Sequence, residues 1–324
     1  MCTAVTYRTK NFYFGRNLDY HHGFGEEVTV MPRKSPLTFR EMGTLERHYA
    51  IIGMARVEEN YPLFFDGVNE KGLAMAGLNF VGNAQYEQSA PGWDNVASFE
   101  LIPWILGQCE RVSQARKLLE KMRITDAAFS SELPPSQLHW ILADREEAIT
   151  VEAVKEGLRV YANPVGVLTN NPPFHQQLFR LNDYMHMSAR EPRNQFAPEL
   201  ELEPYSRGMG ALGLPGDLSS QSRFVRAAFV KCNSRSGMTE PESVSQFFHI
   251  LGAVEQQRGC CEVGKDAFEI TQYTACCNAD RGIYYYTTYE NHRITAVDMH
   301  RENLEGSALA RYPLIREQQI KMQN

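Results

Sequence analysis

The chain has 324 residues, of which 43% are hydrophobic and 22% charged, with a formal net charge of −6. It is long enough to bury a large core, and its composition is that of a globular protein with no basic arm, acidic tail or low-complexity tract. Nothing in the charge balance favours nucleic acid, no run approaches the length of a membrane span, and no secretory signal opens the chain. The expectation is a cytoplasmic protein whose seven cysteines stay reduced. The adjacent pairs Cys260-Cys261 and Cys276-Cys277 lack the spacing of a metal site, and neighbours on a strand point to opposite faces.

The chain begins Met1-Cys2-Thr3-Ala4-Val5. A small second residue permits removal of the initiator methionine, which would make Cys2 the N-terminus. One residue would then carry a thiol and a free α-amine titrating near ~8, a nucleophile with its own base. A small second residue is also ordinary, so Cys2 alone does not decide the matter.

The first third reads as strands. Residues 3–7 and 13–16 flank a polar turn at Thr9-Lys10-Asn11, a hairpin signal. Residues 27–31 alternate and stop at Pro32; residues 50–55 and 73–79 are apolar runs of strand length. Residues 98–107 are bulky and apolar without alternation, and residues 113–122 have helical spacing with Ser113 as N-cap. Strands return at 138–143, 148–153, 158–161 and 165–169, and helices are expected over 174–186, 222–232 and 242–253. Residues 189–216 are rich in Pro, Gly, Arg and Glu and read as a long loop. Strands close the chain at 268–275, 282–289 and 293–298. No regular βαβ alternation appears, so two mainly antiparallel sheets with helical layers fit better than a doubly wound parallel sheet. No linker divides the chain, so residues 2–324 are expected to form one domain.

Several polar residues sit where chemistry could use them. Phe14-Gly15-Arg16-Asn17-Leu18-Asp19 ends the first hairpin, and normal pairing returns it to Cys2. Arg16 could then stabilise a thiolate and Asp19 orient an amine, or the two could form a surface ion pair. Asn79 and Asn170 each end an apolar run; together they could donate to an oxyanion, and separately each could be a turn residue. Arg223 and Arg226 lie one turn apart near the start of a helix, where the dipole disfavours cations, which hints at a paired role.

Taken in order, Met-Cys-Thr, Phe-Gly-Arg-Asn-Leu-Asp, Asn-Glu-Lys-Gly-Leu-Ala-Met-Ala-Gly-Leu-Asn-Phe, Gly-Val-Leu-Thr-Asn-Asn-Pro-Pro-Phe, Gly-Leu-Pro-Gly-Asp-Leu-Ser-Ser and Ser-Arg-Phe-Val-Arg resemble the choloylglycine hydrolase family, that of bile salt hydrolases and penicillin V acylases. The similarity runs essentially end to end. It implies an α+β N-terminal nucleophile hydrolase fold, an αββα four-layer sandwich. It also implies Cys2 as nucleophile, Arg16 and Asp19 as its partners, the backbone N–H of Asn79 and side-chain amide of Asn170 as oxyanion donors, and Arg223 completing the charged network. The reaction implied is hydrolysis of glycine- or taurine-conjugated bile salts without a cofactor or metal; a penicillin V or N-acyl-homoserine lactone acylase is the alternative. Leu18, Phe65, Phe129 and Leu133 are the candidates for an apolar substrate body, and Arg207 for an anionic amine tail. The family resemblance also suggests a homotetramer.

Overall fold

The computed structural model describes residues 1–324. Its main strands are β1 (Cys2–Arg8), β2 (Phe12–Tyr20), β3 (Glu27–Met31), β4 (Ile51–Glu58), β5 (Tyr61–Asn69), β6 (Ala74–Asn79), β7 (Leu138–Ala143), β8 (Ala148–Val154), β9 (Gly157–Ala162), β10 (Val167–Leu168), β11 (Ile270–Asn278), β12 (Ile283–Thr288), β13 (Thr295–Asp298) and β14 (Ala310–Pro313). The helices are α1 (Leu101–Gln108), α2 (Val112–Leu119), α3 (Phe174–Arg180), α4 (Ser220–Asn233) and α5 (Glu240–Gly252).

A six-stranded sheet runs β10-β1-β2-β11-β12-β13, and an eight-stranded sheet runs β9-β8-β7-β6-β5-β4-β3-β14. Every neighbouring pair in both is antiparallel. Helices α4 and α5 pack on the outer face of the first sheet, and α1 packs on the outer face of the second. The result is the αββα sandwich that the family resemblance implies. Strands β1, β2 and β11 are covered on both faces, so they read as apolar runs rather than alternating patterns. One core fills the space between the sheets and under α4 and α5, with Val5, Phe14, Ala76, Phe224 and Phe247 among its members. A second core lies between the eight-stranded sheet and α1 and α2, around Met75, Trp140, Ile105 and Val112. No helix is long and apolar enough to cross a membrane.

Four local features depart from the sequence reading. Strand β5 has no counterpart in it, because Pro62 and Asp66 interrupt the apolar pattern. Ser113 is not an N-cap: α2 begins at Val112 after Arg111, and its first amide is capped from outside the helix, Val112 N donating to Asp144 Oδ2 at 2.8 Å. The helix expected to reach residue 186 ends at Arg180 and continues only as a 3₁₀ turn over Leu181–Tyr184. The strand expected over 165–169 pairs only at Val167–Leu168. The loop over 189–216 holds a single 3₁₀ turn, Met209–Ala211, as its composition suggests.

The central sheet tolerates no side chain at position 15. A Cβ on Gly15 would stand 1.9 Å from the carbonyl oxygen of Ala275, across the β2–β11 seam. Backbone must move to admit it. Gly15→Ala should therefore lower stability by about 3 kcal/mol, read as a lower urea midpoint; an unchanged midpoint would contradict this packing.

Candidate active site

The register of the first hairpin sorts its polar residues between two faces. Cys2 is paired with Leu18, and Ala4 with Arg16, so these four point into the space between the sheets. Asn17 and Asp19 point the other way, toward the helices; Asn17 Nδ2 donates to Leu251 O of α5 at 3.0 Å. A bulge in β11 serves both faces. Thr271 is paired with Asp19 and Tyr273 with Leu18, so residues two apart on β11 meet residues adjacent on β2. An unbulged strand would turn Thr271 and Tyr273 to the same side; the extra residue sends them to opposite sides.

Strands β5 and β6 pair only where Asp66–Val68 meet Ala74–Ala76, and then diverge. Arg16 sits in the fork. Its Nη1 donates to Gly77 O at 2.6 Å and to Phe65 O at 3.2 Å, satisfying carbonyls of the two strands that have parted. The guanidinium is 1% exposed and has no carboxylate within ion-pair distance. Burial alone would weaken its hold on its proton, but nearby groups of negative charge, Cys2 first, then Tyr273, Asp66 and Asp19, outweigh that and push its pKa up. Asp66 lies at the base of the fork. Tyr273 Oη donates to its Oδ2 at 2.7 Å and Tyr284 Oη to its Oδ1 at 2.5 Å. Burial raises the Asp66 pKa, against the pull of Arg16 and the two phenols.

On the helix side, Asn170 is fixed from several directions. Its Oδ1 accepts from Cys2 N and from Arg223 Nη2, both at 2.8 Å, and its Nδ2 donates to Asn79 O at 2.9 Å. The Arg223 donors therefore select the carbonyl end of the amide and aim the NH₂ at Asn79. Asn170 N donates to Ser220 Oγ at 2.8 Å, and Gln177 Nε2 donates to both Asn170 O and Pro172 O. Arg223, 1% exposed, also donates through Nη1 to Cys2 O and Thr3 Oγ1, each at 2.6 Å, and through Nε to Leu218 O at 3.0 Å. It lies 3.8 Å from Asp19 Oδ2. Thr271 Oγ1 donates to Asp19 Oδ1 at 2.6 Å. Burial raises the Asp19 pKa, with Arg223 the first group opposing it. Burial lowers that of Arg223.

Met1 is present, and its peptide bond makes the Cys2 nitrogen an amide. The Met1 ammonium donates to Asp19 O at 2.6 Å and contacts the Glu269 carboxylate, while Asp19 N donates to Met1 O at 2.9 Å.

Cys2, 4% exposed, opens onto a largely apolar cavity of about 210 Å³. Arg16, Leu18, Asp19, Phe65 and Asn79 line it, and so do Phe129 and Leu133 from the loop before β7. Arg40 ties that loop down: its guanidinium lies 5.3 Å from the Phe129 ring centre and donates to Phe129 O. Arg207 is not in the lining. It belongs to an exposed stretch outside the regular strands and helices. Arg226, one turn after Arg223, turns away and donates to Pro215 O at 3.4 Å.

The sequence reading missed the groups that hold the site from behind. These are Asp66 with its two phenols, Thr271 in the bulge, and Gln177 and Ser220 around Asn170. Asp66 alone left a signal, a carboxylate within an otherwise apolar stretch.

The profile of the linear amide C–N hydrolases, choloylglycine hydrolase family, matches residues 2–312. A bile salt hydrolase/transferase of Lactiplantibacillus plantarum is 54% identical over 319 residues, covering 98% of both chains. One of Clostridium perfringens is 35% identical over 317 residues, 96% of both. A crystal structure of the conjugated bile acid hydrolase from Clostridium perfringens superposes with a TM-score of 0.92 at 34% identity, covering all of each chain. A penicillin V acylase of Agrobacterium tumefaciens shares the fold, with a TM-score of 0.75 at 20% identity over 96% of this chain and 90% of that one.

Replacing Asp66 by Leu would remove the carboxylate at the base of the fork from beside the buried Arg16 and leave two phenols without their acceptor. The expected cost is about 3 kcal/mol or more, with Asp66→Asn less damaging; urea unfolding of both variants reads it. A loss below about 1 kcal/mol for Asp66→Leu would show that the Asp66 carboxylate does not support the fork.

Proposed function

The chain belongs to the choloylglycine hydrolase family of linear amide C–N hydrolases, and from that premise we propose that it cleaves the amide bond of glycine- or taurine-conjugated bile salts. The observation that carries this reading is Cys2 at the opening of an apolar cavity, flanked by the buried guanidinium of Arg16 and the fixed amide of Asn170. A rigid apolar acyl body suits that lining. Its carbonyl would meet the thiol where Asn170 Nδ2 keeps one hydrogen beyond that given to Asn79 O.

Removal of Met1 frees the Cys2 amine. Cys2 Sγ bonds to the carbonyl carbon as the thiol proton passes to that amine, and Asn170 Nδ2 with Asn79 N–H holds the oxyanion. The C–N bond breaks as the amine hands its proton to the leaving nitrogen. Water then adds to the thioester, releasing the bile acid and returning a proton to sulfur. Arg16 stabilises the thiolate across the hairpin. Arg223 and Asp19 hold Asn170 and the chain at Cys2 in place. Leu18, Phe65, Phe129 and Leu133 enclose the acyl body. Residues 2–324 act as one domain, in the cytoplasm. A homotetramer is supported by the exposed apolar side chains of Phe196, Tyr205 and Leu212 on the long loop.

Cys2→Ser should reduce release of glycine from glycocholate and taurine from taurocholate by at least ~1000-fold, with the fold retained. Turnover near that of the parent enzyme would refute the mechanism. In the parent enzyme both conjugates should be cleaved in preference to penicillin V; the reverse order would refute the substrate assignment.

A further inference from the structure

Among the residues lining the Cys2 cavity, Asp19, Ser98 and Trp140 each carry a buried polar atom without a hydrogen-bond partner. Asp19 belongs to the charged group beside the nucleophile. Ser98 and Trp140 do not, and the reaction as derived gives neither a task.

Both are spare for identifiable reasons. Ser98 is the first residue of the 3₁₀ turn Ser98–Glu100 that leads into α1, one place past the N-cap Ala97, the position from which a serine hydroxyl would cap backbone amides. Here Glu100 does that work, accepting from Ala97 N at 3.0 Å and from Arg40 N at 2.6 Å. The neighbouring phenol, Tyr86, donates to Ser136 O at 2.5 Å and accepts from Leu138 N at 2.9 Å, so the Ser98 hydroxyl close beside it makes no bond of full geometry to it. Ser98 is 2% exposed and Trp140 is fully buried, so bulk water does not serve either one. Trp140 stands opposite Gly77 on β6, and a Cβ there would lie 3.1 Å from the indole Nε1. The indole belongs to the core that packs against α1, so Trp140 lines the cavity from the side of that helix.

Buried polar atoms left unpaired are costly, and a cavity that keeps two of them favours a ligand that pairs them. The indole can only donate, whereas the serine hydroxyl can donate or accept. A ligand hydroxyl satisfies both demands; a bare hydrocarbon satisfies neither. We propose that Ser98 Oγ and Trp140 Nε1 read hydroxyl groups on the apolar body of the acyl substrate, so that the cavity selects hydroxylated ring systems over bare ones. The proposal rests on the hydrolase reading above and names which acyl bodies it prefers.

The test compares glycocholate, which carries ring hydroxyls, with the glycine conjugate of 5β-cholanic acid, which has none. In Ser98→Ala and Trp140→Phe, kcat/KM for glycocholate should fall by about five- to ten-fold through KM, while that for the bare conjugate stays within about two-fold. A structural disturbance would instead lower both substrates together, and that outcome, or an unchanged ratio, overturns the proposal. Thermal unfolding accompanies each assay; should Trp140→Phe lose its fold, Ser98→Ala decides. If the parent enzyme cleaves neither conjugate, the hydrolase reading fails, and this inference with it; cleavage of both with no preference shifted by either variant defeats this inference alone.

Discussion

The site depends on a fork between two strands and on the cation that closes it. Where β5 and β6 part, the sheet opens and carbonyls of Phe65 and Gly77 lose the partners a continued ladder would give them. Arg16, reaching across from the other sheet, supplies both with one nitrogen. That opening admits a cavity running from Cys2 toward the layer of α1, and the plug is a cation on the strand paired with that of the thiol. Arginine suits the position because its planar head offers several donors and keeps its charge when buried.

Burying such a cation demands compensation, and the fold provides it without contact. No carboxylate touches Arg16. Asp66, at the base of the fork, is instead held by two phenols from β11 and β12, which fix the anion while its charge acts on the guanidinium. A direct ion pair would draw Arg16 toward Asp66; a carboxylate occupied by tyrosines leaves the guanidinium to the carbonyls of Phe65 and Gly77. On the other side of β2, Asp19 and Arg223 form a second charged group, bridged to Asn170 and to the backbone at Cys2. The β11 bulge links the two sides, since it lets Thr271 serve Asp19 while Tyr273 serves Asp66.

Much of this was legible in the residues. The hairpin signal at Thr9-Lys10-Asn11 was enough to return Arg16, Leu18 and Asp19 to Cys2, because antiparallel register follows from a short turn. Asn79 and Asn170 stood out as polar ends of apolar runs, and Arg223 as a cation at the wrong end of a helix. The apolar residues Leu18, Phe65, Phe129 and Leu133 do meet at the cavity, although spacing alone could not separate them from core. What stayed hidden depends on long-range geometry. A bulge has no composition signature in a strand as apolar as β11, so the divergent aims of Thr271 and Tyr273 could not be read. The capping of α2 by Asp144 is a tertiary contact across 32 positions, which no local rule can supply. Arg207 stands apart from the others, a cation on an exposed loop that does not line the cavity within one chain.

Every step of the reaction requires Cys2 to act as the N-terminal nucleophile, and trapping the acyl-enzyme tests that most directly. Glycocholate turnover stopped by rapid acid quench, followed by tryptic mass spectrometry, should yield the peptide Cys2–Arg8 with Met1 absent and a mass added equal to the cholyl group. A peptide that retains Met1 in active enzyme, or an acyl group on any other residue, would contradict it.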